Sequence, residues 1–76
     1  MQPIGGSMDQ IKVGNFIAAM RKEKGLTQKQ LAEKVYIHQN MISAYERGTI
    51  VPPFTTVIAI AKVLEVSLDW IAGGPE

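Results

Sequence analysis

The residues best equipped for chemistry lie in one stretch, HQNMISAYERG, from His38 to Gly48. His38, Ser43 and Glu46 carry the group types of a nucleophilic triad. All three fall on one short predicted helix, with no glycine-rich elbow or oxyanion site beside them, so enzymatic activity is not expected. The chain has a single histidine and no cysteine, which removes disulfides, thiolate metal sites and histidine clusters; no metal or cofactor is expected. What remains is hydrogen bonding. His38, Gln39, Asn40 and Met41 hydrogen-bond or fill gaps, Ile42 and Tyr45 are apolar, and Gly48 stops the run. A helix this short is marginal alone in water, so the rest of the chain must hold it.

The elements that hold it are legible as helical periodicity. Val13, Phe16, Ile17 and Met20 fall at i, i+3, i+4 and i+7, the stripe of an amphipathic helix. Arg21, Lys22 and Lys24 follow, favourable to the helix dipole, and Gly25 closes the helix. Thr27 and Gln30 form a capping-box pattern that opens a second helix running through Val35 and burying Leu31, Ala32 and Val35. After a break at Tyr36 and Ile37, a third helix runs from His38 to Arg47 and buries Ile42 and Tyr45, which belongs to the core rather than to a stacking platform. GTIVPPF is a loop; its prolines forbid helix until Pro53, which suits a first helical position. Val57, Ile60, Ala61 and Leu64 mark a fourth helix, and a short fifth near Leu68 to Ala72 is stopped by GGP. The expectation is an all-α fold of five short helices around one core.

The 76 residues suffice for one small domain, which buries only about 60% of its unfolded surface, so every helix must contribute to a single core. No apolar run approaches the roughly 20 residues of a membrane span, and a cytoplasmic location is the default. The start, MQPIGGSM, lacks the basic region and apolar stretch of a signal peptide. Residues 1–7 read as an expression scar, with Met8 the natural initiator and the domain running over 8–76.

The formal charge is only +1, but it is unevenly placed. Between Met20 and Arg47 six basic residues stand against three acidic ones, a net of +3 that leaves −2 for the rest. One face can therefore be basic on a nearly neutral molecule, although a merely solvated charged face fits charge alone equally well.

Two short helices joined by a brief turn, the second polar at its start, make a helix-turn-helix arrangement. Ala32 is small where the two helices approach, and Ile42 supplies the apolar contact between them. The opposite face of the third helix then carries Gln39, Asn40, Ser43 and Ala44, available to a DNA major groove.

GLTQKQLAEKV, MISAYERG and IAKVLEVSLDWI resemble the Cro/CI-type (XRE-like) helix-turn-helix domain of phage and bacterial repressors, over about residues 11–73. The resemblance implies a compact, lambda-repressor-like fold. It also implies sequence-specific binding of double-stranded DNA by a homodimer, at least on a palindromic operator, in a transcriptional regulator. By the same resemblance Gln39, Asn40, Ser43 and Ala44 face base edges, and His38 reaches a base or a phosphate, an ordinary surface histidine being its plainer reading. Glutamine and asparagine pair in bidentate fashion with adenine, so A·T steps are expected in each half-site. Gln28 matches a glutamine that touches a phosphate at a helix start, where free N–H groups reinforce the contact. Lys29, Arg47 and Thr49 are further phosphate candidates, and Arg21 with Glu46 matches a structural ion pair between the first and third helices.

Departures from the family pattern are specific. Tyr36 stands where glycine is usual in a left-handed turn, at a cost of about 1–2 kcal/mol, and sets a phenol where it can meet a phosphate. His38 replaces a serine cap, Pro53 a serine and Glu65 a glycine or asparagine. The alternatives are an antitoxin-type or adaptor module with a protein partner, leaning on exposed apolar residues such as Trp70 and Ile71, or a purely structural helical domain. Trp70 itself either caps the core or sits in a dimer interface.

Overall fold

The computed structural model describes residues 10–67. The presumed scar at 1–7, Met8, the short helix expected near Leu68 to Ala72, and Trp70 lie outside the described residues. Within them are four α-helices and no strand: α1 (Gln10–Glu23), α2 (Gln28–Val35), α3 (Gln39–Arg47) and α4 (Phe54–Leu64). The described residues thus hold four of the five helices expected, the fifth having been assigned to residues that are not described.

Each boundary has a local cause. Past the end of α1, Gly25 adopts φ 73° and its N–H donates to the Lys22 carbonyl at 2.9 Å, turning the chain toward α2. Thr27 caps α2 reciprocally: its Oγ1 accepts from the Gln30 N–H at 3.0 Å, and its own N–H donates to the Gln30 side-chain Oε1 at 2.9 Å. After α2, Tyr36 stands at φ 60°, ψ 42°, the left-handed geometry that the turn demands. His38 is the N-cap of α3 rather than its first helical residue, because its backbone is still extended, at ψ 143°. Pro53 likewise is the N-cap of α4 and not its first helical residue: with ψ 155° it remains extended, and the helix starts at Phe54.

The core draws on all four helices: Val13 and Ile17, then Leu31, Ala32 and Val35, then Ile42 and Tyr45, then Val57, Ile60, Ala61 and Leu64. Phe16 and Met20, from the same α1 stripe, are only partly buried and pack on its edge. One feature of the α1 to α3 crossing has no signature in the hydrophobic pattern. A Cβ on Gly14 would lie 2.2 Å from the Tyr45 carbonyl oxygen and 2.6 Å from that of Glu46. Those distances are inside contact range, so the missing side chain is what lets the backbone of α1 rest on the last turn of α3.

Candidate nucleic-acid interface

The orientation of α3 is fixed from beneath by one buried guanidinium. Arg21 donates through Nε to Glu46 Oε2 at 2.7 Å and through Nη2 to Glu46 Oε1 at 3.1 Å, a bidentate pair. Its Nη1 donates to the Leu26 carbonyl at 2.7 Å. Gln28 completes the cluster, donating from Nε2 to Glu46 Oε1 at 2.9 Å. The side chains of Arg21 and Glu46 are only 10% and 7% exposed, and no buried side-chain polar atom among the described residues lacks a partner. A single network therefore joins the end of α1, the turn after it, the start of α2 and the end of α3. Two parts of it escaped the sequence reading: the Leu26 carbonyl and the Gln28 amide, both brought in by chain reversal rather than by any local pattern.

The opposite side of α3 is open. Gln39 and Asn40 are exposed at its first turn, and His38 is exposed just before them. His38 Nδ1 accepts from the Asn40 N–H at 3.3 Å, so the ring caps the helix as an acceptor. Ser43 is half-buried one turn on and accepts a hydrogen bond from Arg47 Nη1. Arg47, expected to reach a phosphate, is thus folded back along α3.

Two expected contact residues are placed differently. Ala44 does not offer a surface to base edges: it is 5% exposed. The chain leaving α3 folds over it, with the Thr49 N–H and the Thr49 hydroxyl both donating to its carbonyl, at 3.0 and 3.1 Å. Thr49 itself is exposed, with its N–H and hydroxyl turned to that carbonyl. Gln28 is half-buried, and its amide nitrogen serves Glu46 first; its backbone N–H still opens α2. Lys29 is exposed beside it. Tyr36 is 93% exposed, in the turn between the two helices.

A second ion pair lies in the turn after α1. Lys24 Nζ stands 2.6 Å from Glu65 Oε1, tying the turn after α1 to the residue that ends α4. The hydrogen bond from Lys24, and then its charge, hold the Glu65 carboxyl below its usual range against a small opposing desolvation.

Comparison with known proteins places this geometry. Residues 17–71 match the family model described as Helix-turn-helix. The Bacillus subtilis regulator YqaE, an HTH-type transcriptional regulator, is 43% identical over 54 residues, covering 71% of this chain and 47% of that protein. The immunity repressor of Bacillus phage phi105 is 39% identical over 61 residues, covering 80% of this chain and 42% of the repressor. The chain thus spans a little under half the length of either relative. Among solved structures, the P22 c2 repressor in complex with a synthetic operator superposes with a TM-score of 0.79 at 30% identity, over 83% of this chain and 96% of that one. With the family model matched across the two joined helices and the core that carries them, the chain belongs to the Cro/CI-type (XRE-like) helix-turn-helix family.

Proposed function

We propose that this chain binds double-stranded DNA sequence-specifically as a bacterial or phage transcriptional regulator, in the simplest case a repressor, with α3 in the major groove. The observation that carries the reading is the asymmetry of α3. Its inner face is fixed by core and ion pair, while Gln39 and Asn40 stand exposed at its start. Gln39, Asn40 and Ser43 meet base edges, and His38 meets a base or a phosphate. Lys29, the N–H groups opening α2 and the Tyr36 phenol meet phosphates. A symmetric homodimer on a palindromic operator, with half-sites about 34 Å apart or a multiple of it, suits a reading helix of this kind. The fifth helix near Leu68 to Ala72, a cytoplasmic location and the absence of any catalytic role belong to the same reading. The names of similar proteins support it, an immunity repressor and a repressor bound to operator DNA among them.

The test is selection of bound sequences from random duplexes, followed by titration of the winner at two salt concentrations. A palindromic consensus containing A·T pairs, bound less tightly as salt rises, is the expected result. Gln39→Ala then shifts the sequence preference, and Lys29→Ala weakens all sequences alike. A folded protein that enriches nothing overturns the reading. It would favour the second one, a protein-binding module, for which the observation is the exposed apolar entry to α4: Ile50 and Val51 in the loop and Phe54 at the first helical position, the last 64% exposed.

A further inference from the structure

The structure assigns Arg47 a different task from a phosphate contact: we infer that it reads a guanine in the major groove, with Ser43 as the residue that positions it. This rests on the DNA-binding reading above and names one more determinant of specificity within the same site.

The first observation is angular. At about 100° of turn per residue, Gln39, Ser43, Arg47 and Asn40 fall within an arc of roughly 100° on α3. Arg47 lies near the middle of the outward side, about diametrically opposite the midpoint of Ile42 and Tyr45, both of which are buried in the core. Its Cα closes the helix, yet a long helical side chain leans toward the helix N-terminus and covers the turn before its own.

The second observation is the contact that results. Arg47 Nη1 donates to the Ser43 hydroxyl, so the guanidinium lies over the turn of Ser43, between the helix end and the Gln39–Asn40 pair. A guanidinium aimed at a phosphate would gain from reaching sideways, past the helix; this one lies along the face that carries Gln39 and Asn40. The Ser43 contact occupies one N–H of Nη1, which leaves the edge formed by Nε and Nη2 as a fork. That fork matches the O6 and N7 acceptors of guanine in one fixed plane, whereas a lysine reaches the same pair only with a flexible point charge. Ser43, a base reader on the resemblance, also holds Arg47 in place here.

The experiment is the same selection from random duplexes, run in parallel on the unaltered chain and on Arg47→Ala, Arg47→Lys and Ser43→Ala, with circular dichroism melts to verify folding. The expected result is a G·C pair at a fixed position in each half-site. Preference for it falls about 5- to 150-fold in Arg47→Ala, and by less in Arg47→Lys, while the other positions keep theirs. Ser43→Ala gives a smaller loss at that same position. Arg47→Lys retains the salt dependence, because the charge is kept and only the fork is lost. The inference is overturned if Arg47→Ala weakens every sequence equally, lowers the salt slope by about 1 and is rescued by lysine, the pattern of a phosphate contact. If the unaltered chain enriches no sequence, the DNA-reading proposal itself fails and this inference falls with it, a result distinct from the previous one.

Discussion

The two faces of α3 are built on opposite terms. Its inner face carries Ile42 and Tyr45 in the core, takes the backbone of α1 at Gly14, and ends in Glu46, whose carboxylate serves both Arg21 and Gln28. Its outer face carries Gln39, Asn40 and Arg47, none of them buried and none holding one helix to another. The inner face decides where the helix points; the outer face is free to differ without unfolding the domain. Substitutions inside are therefore expected to move stability, and substitutions outside to move recognition. The same contrast separates the two ion pairs. Arg21–Glu46 is shut away from water, whereas Lys24–Glu65 is 37% and 74% exposed at its side chains.

The strongest way to break that contrast is Glu46→Ala. It strands the Arg21 guanidinium in a buried site and deprives Gln28 of its acceptor, with an expected loss of about 3–5 kcal/mol in denaturant unfolding. Replacing both charges, Arg21→Met with Glu46→Leu, recovers most of that loss if a stranded charge is the cause. Gly14→Ala comes next. The new methyl must push α1 off the Tyr45 and Glu46 carbonyls, and a net loss of about 1–3 kcal/mol is expected even though alanine is the better helix former. A gain in stability here would mean that the seam between α1 and α3 gives way easily.

Tyr36→Gly should act in the other direction. The phenol buries almost nothing, while its backbone stands at φ 60°, so relieving the left-handed strain should stabilise the fold by about 1 kcal/mol. The same variant binds DNA more weakly if the phenol meets a phosphate, which separates fold from function in one measurement. Lys24→Ala carries the smallest effect, with no resolvable change in melting temperature at neutral pH, since exposed pairs are screened. The sign of its pH dependence is still defined. Glu65 has a lowered pKa, so the contribution of its pair with Lys24 is present above the unfolded-state value and disappears as pH falls through the lowered one. An acid titration of Glu65 by NMR, with and without Lys24, would show the carboxyl returning toward its usual range in the variant.

The sequence by itself determined whatever is encoded within a few residues. The four described helices follow from apolar spacing, the start of α2 from the Thr27 and Gln30 box, and the turn at Gly25 from its freedom at positive φ. The exposed pair Gln39–Asn40 was equally legible, because Ile42 and Tyr45 fix which side of so short a helix is inward. The tertiary structure alone decided the rest. Gly14 reads in sequence as nothing more than a weak helix residue; its reason lies in the approach of a chain segment more than two dozen residues away. The Gln28 to Glu46 bond and the Lys24–Glu65 pair likewise join residues that no helical period relates. Ala44 lost its place on the reading face because the chain returns over it through Thr49, an outcome set by loop path rather than by residue type. Local periodicity reports which side of a helix is apolar. It cannot report what is laid against that helix, because that depends on how the helices cross.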